Sequence, residues 1–315
     1  QGSYNQENMF YPEPHIPLKD FPKELDWSRH GALAQVPLAP IIKSVVKIPV
    51  MTVGLIDADS GDEIVRTGKA DLIGINRRFF ADHNWANKVR EGREEDIQPC
   101  THCGTCNSNY NKARYCRINA CFGTDKYDME PPAAKKKKVV VVGSGPSGMQ
   151  TARVAAARGH DVTLYESGGY LGGAVALASM VKGFEIEELP KFLKFFRTQV
   201  KKNGVKVKMR KLFDDAALAE EKPDVLVVAA GGVPTKPNVP GYELKNVVKT
   251  DELYGLLKFM IALVGPQMLR KLTRFWMPVG KKVVVVGGAI QGCQLTEFLT
   301  KRGRKVTIVE EGEEL

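Results

Sequence analysis

Lys138-Val-Val-Val-Val-Gly-Ser-Gly-Pro-Ser-Gly148 is an apolar run that ends in a glycine loop. It predicts a strand, a tight turn and the start of a helix, the opening of a dinucleotide-binding βαβ unit in an α/β fold. Gly143 permits the turn, and Gly145 lets backbone N–H groups approach a pyrophosphate. Gly148 lets the helix close on the strand. Ser144, Pro146 and Ser147 complete the loop, and the helix N-terminus adds partial positive charge for phosphate. Glu166 ends the next predicted strand, where a carboxylate can bind ribose hydroxyls.

The same pattern occurs twice. Lys138–Gly143 matches Lys282–Gly287, and Arg158–Glu166 matches Arg302–Glu310, each 144 residues on. The second loop is Gly287-Gly288-Ala289-Ile290-Gln291-Gly292, with Ala289 where a second glycine usually sits. Its methyl narrows the approach of a pyrophosphate without blocking it. Glu310 would accept from a free 2′-hydroxyl and repel a 2′-phosphate, which favours NADH over NADPH unless neighbouring arginines intervene. Between the copies, Asp224–Gly232 reads as another buried strand. Leu253–Val279 reads as a basic, apolar helical insert carrying Phe259, Met260, Phe275 and Trp276. A packed excursion between two nucleotide domains is the first reading of that insert. A lid or partner surface comes second, and a membrane-surface helix with Lys258, Arg270, Lys271 and Arg274 comes last.

Upstream of the first loop, Cys100, Cys103 and Cys106 are spaced C-x2-C-x2-C, with Cys116 and Cys121 close behind. Three close thiolates and a more distant one suit a [4Fe–4S] cluster. Zinc more often takes two C-x2-C pairs across a longer spacer. Cys116 and Cys121 compete for the fourth position. His102 reads as a neighbour of the cluster rather than a ligand, and Cys293 as a small packing residue.

Residues 1–98 alternate short apolar runs with helical stretches. Strands are predicted at Ile48–Gly54 and Ala70–Ile75, and helices at Ala58–Gly68 and Arg77–Glu91, an order that suggests parallel strands. Pro131-Pro132 and the lysines at 135–138 mark a domain edge, the lysines reading as a solvated lead-in to the strand. The chain has 315 residues, 43% hydrophobic and 26% charged, with a net charge of +10. These values are ordinary for a soluble multidomain protein. No apolar run reaches membrane-spanning length. No nucleic-acid module accompanies the positive charge, so phosphate-bearing cofactors and solvated lysines account for it. Clustered cysteines point to a reducing compartment, the cytoplasm.

Taken in order, these segments resemble the multidomain, flavin- and iron–sulfur-containing branch of the Old Yellow Enzyme family. That branch includes 2,4-dienoyl-CoA reductase, 2-enoate reductase and trimethylamine dehydrogenase. Gly2-Ser-Tyr4 is similar to the end of barrel strand six, and Ile48–Gly54 to strand seven. Gly68–Asp82 is similar to strand eight with its phosphate loop, and Lys88–Cys100 to the lead into the cluster. Tyr170-Leu-Gly172-Gly173 and Val227-Val-Ala-Ala230-Gly231-Gly232 resemble FAD-domain motifs. The chain departs from the pattern in Leu55, where arginine is common, and in Asn76, where glycine is common. Its cysteine spacing is closer to the trimethylamine dehydrogenase form.

The resemblance implies an internal fragment of a longer chain, with five residue ranges. Residues 1–98 form the C-terminal part of an FMN-binding TIM barrel, and 99–134 a cluster segment and linker. Residues 135–244 form an FAD-binding domain, 245–279 the helical insert, and 280–315 the start of an NAD(P)H-binding domain. Gly54, Asn76 and Arg77 would then hold the FMN phosphate, and Cys116 would be the fourth cluster ligand. The implied enzyme passes electrons from NADH through FAD and the cluster to FMN and reduces an activated C=C bond in a small molecule. Substrate-binding and proton-donating residues would lie on earlier barrel strands, so no catalytic residue is assigned. The rival readings are an amine dehydrogenase, in which the first loop can hold ADP, and a non-catalytic electron-transfer subunit. A homo-oligomer is compatible with the resemblance.

Overall fold

The structure, a computed structural model, describes residues 33–103, 105–107, 115–124, 131–182, 188–232 and 239–312. The match at Gly2–Tyr4 lies outside them. The chain divides into two compact units, Gln1–Asp128 with Glu185–Glu188, and Met129–Phe184 with Leu189–Leu315.

In the first unit the order is α1 (Leu38–Lys43), β1 (Met51–Val53), α2 (Ala58–Arg66), β2 (Leu72–Gly74), α3 (Arg77–Ala81) and α4 (Trp85–Arg90). β1 and β2 pair in parallel, with Met51 opposite Leu72. The Asp57 carboxylate caps α2 by accepting from the Ser60 N–H at 2.9 Å, as a helix start requires. Ile56 and Ile64 then pack with Val36, Ala39, Val50 and Ala70 to form the core of this unit. The predicted buried strand at 48–54 is shorter than expected, and only Thr52 within β1 is buried. Ile48 and Met51 are exposed, because this two-stranded ladder is not covered on both faces by the described residues.

The single helix predicted for 77–91 is in fact two. Asp82 adopts an extended backbone and ends α3. Its carboxylate accepts from the N–H groups of Asn84 and Gln98 and from Lys88 Nζ, at 3.1, 2.9 and 2.7 Å. The break therefore creates an anchor that ties the approach to the cysteines onto α4.

The second unit runs β3 (Lys138–Val142), α5 (Pro146–Ala157), β4 (Asp161–Glu166), α6 (Gly173–Lys182), α7 (Leu189–Lys202), β5 (Lys206–Met209), α8 (Asp215–Glu221) and β6 (Val225–Val228). It continues α9 (Thr250–Val264), α10 (Pro266–Leu272), β7 (Lys282–Val286), α11 (Ile290–Thr300) and β8 (Lys305–Val309). β3 to β6 form a parallel sheet in the order β5-β4-β3-β6, and β7 pairs in parallel with β8. Val140, Val141, Leu164, Met149 and Ala152 are fully enclosed. Phe192, Leu193, Phe195 and Phe196 of α7 are buried in the same unit. Each such side chain contributes roughly 1.5–3 kcal/mol relative to exposure.

The predicted buried strand at 224–232 is instead half-buried, since β6 is an edge strand with Leu226 and Val228 exposed. The predicted insert is two helices. Gly265 (φ 75°) and Pro266 stop α9 and restart the chain as α10, and Phe275 and Trp276 beyond it are exposed. Among the described residues no helix is long and apolar enough to cross a membrane.

Lys138 departs from the solvated reading of the lysine run. Its Nζ lies 2.8 Å from the buried Glu221, whose carboxylate also meets Lys208 Nζ at 2.7 Å and accepts from Tyr165 Oη at 2.8 Å. Lys138 and then Lys208 hold the Glu221 carboxyl down from 4.5 to about 2. A carboxyl depressed in the folded state stabilises the fold above its unfolded pKa, and that contribution is lost as pH falls from about 4.5 towards 2. Glu221→Gln is expected to cost on the order of 1–3 kcal/mol at neutral pH. Urea unfolding at a series of pH values should also show a flatter acid limb in the variant. An acid limb identical to the parent's would exclude Glu221 as its source.

Candidate cofactor and cluster sites

Three segments converge at the first glycine loop. Gly143 (φ 103°) sits where an added Cβ would lie 2.3 Å from the Ala229 carbonyl oxygen, so the loop packs directly on the stretch leading to Ala230 and Gly231. Gly172 donates its N–H to the Ser144 carbonyl at 3.0 Å, and a Cβ on Gly173 would meet Gly145 Cα at 2.9 Å. Gly148 is held against the strand end, with the Gly143 oxygen 1.8 Å from its hypothetical Cβ. Gly145 caps α5 and faces open space, with nothing within 4 Å of an added Cβ. Pro146 is the first residue of α5, and Ser147 is exposed beside it. The buried Glu166 carboxylate accepts from the Ser144 N–H at 3.1 Å, from the Ser144 hydroxyl, and from the Gly168 N–H at 2.6 Å. The open side at Gly145 and the amide-rich helix start form a cradle for a phosphate-bearing nucleotide.

The second loop is built alike. Gly287 has φ 101°, and the Gly292 Cβ position lies 1.8 Å from the Gly287 oxygen. Ala289 caps α11 with φ −59° and ψ 174°, almost the backbone of Gly145 at −64° and 176°. Ile290 and Gln291 are exposed at the helix start. Glu310 accepts from the N–H groups of Gly288, Glu311 and Gly312, and these amides, Gly288 first, lower its carboxyl pKa. Cys293 is exposed, and its thiol donates to the Gly288 carbonyl at 2.9 Å. It is therefore a residue of the first turn of α11 with its thiol on the second loop, rather than a packed one.

Cys100, Cys103, Cys106 and Cys116 line one pocket, together with Arg77, Phe80 and His102. Cys121 is buried nearby, its backbone N–H on the Asn119 side chain at 3.0 Å. Among the described residues no three His, Cys, Asp or Glu side chains close on a point suited to one metal ion. Burial pushes the Cys100 thiol up to about 11 and also raises Cys106. Cys103 is half-buried, and although that desolvation opposes the shift, hydrogen bonds from Thr105 bring it below the usual thiol value. His102 is buried at φ 52° and directs its N–H to Cys100 Sγ at 3.4 Å. The segment is fastened to α3 by Asn119 Nδ2, which donates to the Phe80 carbonyl at 2.9 Å, and by the Phe80–Phe122 ring contact at 4.3 Å.

Gly54 (φ 122°) ends β1 and Asn76 caps α3, exposed. Arg77, on the first turn of α3, turns its guanidinium to the cysteine pocket. Desolvation lowers its pKa, and the facing Cys100, Cys106 and Cys103 oppose that shift. The neighbouring Arg78 binds the Ile56 and Leu55 carbonyls at 2.7 and 3.2 Å, closing the β1 end onto α3.

Residues 137–315 match the family described as pyridine nucleotide-disulphide oxidoreductase, and residues 23–96 match the NADH:flavin oxidoreductase / NADH oxidase family. The chain belongs to the multidomain, Old Yellow Enzyme-like NADH:flavin oxidoreductases. This family member is 34% identical to the NADH oxidase of Thermoanaerobacter brockii, over 93% of its own length and 43% of that protein. It is 32% identical to the cinnamate reductase of Clostridium sporogenes, over 87% of its length and 38% of the reductase. Among solved structures, 2-naphthoyl-CoA reductase superposes with a TM-score of 0.75 at 31% identity, over 90% of this chain and 41% of that one. The chain thus spans about two fifths of the length of these relatives. For an NADH:flavin oxidoreductase of this kind, one contributor escaped the motif reading. Arg197 donates to the Leu171 carbonyl at 2.6 Å and stacks on Tyr170, which steadies the Tyr170–Gly173 loop. Arg77, expected at the FMN phosphate with Gly54 and Asn76, instead lines the pocket of thiols.

Proposed function

We propose that this chain carries the electron-relay portion of an NADH-dependent flavin and iron–sulfur enzyme that reduces activated C=C bonds of enoate or enoyl-CoA type. One observation carries the reading: a pocket lined by four cysteines occurs in the same chain as two glycine loops of matching build. The first loop, with Gly143–Gly148, Glu166, Gly172, Gly173, Ala230 and Gly231, would hold FAD. The second, with Gly287–Gly292 and Glu310, would hold NADH. Cys100, Cys103, Cys106 and Cys116 would hold a [4Fe–4S] cluster, because a four-iron cube takes its thiolates from around a pocket rather than from one point. Gly54 and Asn76 fit an FMN phosphate at the ends of two parallel strands that would belong to a TIM barrel.

These groups supply hydride and single-electron chemistry. The chain's own residues supply placement. Backbone amides of the two loops would face the phosphates, and Glu166 and Glu310 would receive ribose hydroxyls. Around the thiols, the His102 backbone N–H donates to Cys100 Sγ and the Thr105 hydroxyl pairs with Cys103 Sγ, as outer partners of a cluster would. The relatives reported above include a cinnamate reductase and a 2-naphthoyl-CoA reductase, which supports a conjugated substrate.

The test uses the full-length protein, anoxically purified. Iron, sulfide, FMN and FAD are expected in a 4:4:1:1 ratio, as the assignment of one cluster and two flavins requires. NADH should bleach the flavins, and an added enoate should restore their colour. Bleaching by a methylated amine but not by NADH would overturn the reading in favour of an amine dehydrogenase.

A further inference from the structure

A helix that starts beside the first glycine loop and the helix that starts at the second are both tied to the same short helix. α6 begins at Gly173, in contact with the first loop. Its last turn leaves carbonyls without helical partners, and α10 supplies them. Gln267 Nε2 donates to the Ser179 carbonyl at 3.1 Å, and Arg270 Nη1 donates to Met180 at 2.9 Å and also to Val181. α11 begins at the second loop and runs to Thr300. Just beyond it, Arg302 reaches back to the same helix. Its Nη2 donates to the Arg270 carbonyl at 3.1 Å, and its Nε to the Thr273 hydroxyl at 2.8 Å. That hydroxyl donates in turn to the Arg270 carbonyl at 2.6 Å. The Arg302 guanidinium lies 3.5 Å from the Phe298 ring, and Nη1 donates to the Phe298 carbonyl at 3.0 Å.

The contacts are enclosed. Ser179 is fully buried, Leu269 is 1% exposed, and Met180, Thr273, Phe298 and Leu299 are all buried. A planar guanidinium that stacks on a ring and donates to three fixed acceptors has little freedom to shift. α10 is itself bounded by a glycine–proline break, so it is a separate piece that ties α6 to the end of α11, which also packs on α6 directly, rather than a continuation of α9.

We infer that α10, through Arg270 and Arg302, is a strut that sets the orientation of the second nucleotide loop relative to the first. Arg302 is then a positioning residue for hydride transfer between the two bound nucleotides. The functional half of the inference rests on the assignment of NADH and FAD to the two loops. The mechanical half does not. The inference gives the insert a task beyond filling space, since hydride transfer falls off steeply with misalignment of donor and acceptor.

The experiment compares full-length parent, Arg302→Gln and Arg302→Lys. Spin labels are placed through unnatural amino acids at Lys201 on α7 and Thr300 on α11, both exposed. Pulsed dipolar spectroscopy of the parent should give one narrow distance. Arg302→Gln should broaden or split it, with Arg302→Lys in between. In stopped flow, Arg302→Gln should slow the limiting rate of flavin reduction by NADH by about tenfold or more. Flavin content, NADH affinity and reduction by dithionite should stay within about twofold of the parent, since no substituted atom faces either loop. An unchanged distance distribution would overturn the strut. A broadened distribution with an unchanged rate would overturn the positioning role, and loss of flavin together with rate would reduce Arg302 to a fold residue. If NADH fails to reduce the parent, the cofactor assignment falls, and the distance measurement alone decides the strut.

Discussion

Gly148→Ala is expected to yield protein without flavin and with a destabilised second unit. The added methyl carbon would sit 1.8 Å from the Gly143 carbonyl oxygen and 2.9 Å from its carbon. Both are backbone atoms at the turn between β3 and α5, so no side chain can rotate away. Either the helix lifts from the strand or the turn opens, at a cost on the order of 3 kcal/mol. The turn is also where the Ser144 N–H meets Glu166 and where Gly172 docks, so the displacement would spread to all three converging segments. Gly145→Ala is the matched control. Gly145 has an ordinary extended backbone and open space around its Cβ position, so alanine there should fold like the parent. Weaker flavin retention in that variant would then come from the methyl group facing the ligand. Thermal unfolding and flavin content together read the difference. Equal thermal stability of parent and Gly148→Ala would show that the turn relaxes far more easily than its packing implies.

Cys116→Ser should remove the cluster, whereas Cys121→Ser should leave it. Cys116 faces the pocket with the three clustered cysteines. Cys121 is buried beside Asn119 in a turn that the Asn119 side chain already satisfies. A serine in place of a ligating thiolate loses the soft donor that iron–sulfur chemistry requires. Loss of a ligand should exceed the roughly 10–100-fold effects typical of outer partners, so iron and sulfide should fall to background in Cys116→Ser, with NADH-driven reduction of substrate. Full iron in Cys116→Ser with none in Cys121→Ser would reverse the assignment.

The glycine loops were legible because their chemistry is local. Strand, turn and helix lie within a dozen residues, and Gly148 answers to a contact inside that span, although the contact of Gly143 with Ala229 lies far along the chain. The strand and helix types likewise follow from short-range patterning. The burial of Ile48–Gly54 and Asp224–Gly232 was not legible, since an apolar run looks the same in a covered strand and at a sheet edge. The break at Asp82 was hidden because its cause is remote. The carboxylate is committed to Gln98, sixteen residues on. The Glu221 network and the Arg270–Arg302 contact join positions far apart in sequence, and no spacing rule announces them. Within the cysteine segment, spacing suggested a cluster but left Cys116 and Cys121 equal. In the structure Cys116 lines the pocket, whereas Cys121 is buried in the turn that begins at Asn119.

Arg77 brings a permanent cation to a pocket of thiols, on the first turn of α3, where its position is set by the backbone. A charge already in place need not be recruited from water when the electron count beside it changes. With the proposed cluster in place, the medium around the sulfurs would have little rearranging to do. For the relay proposed above, such a site would have a low reorganisation energy, so that driving force and distance, rather than solvent motion, would set how fast an electron passes.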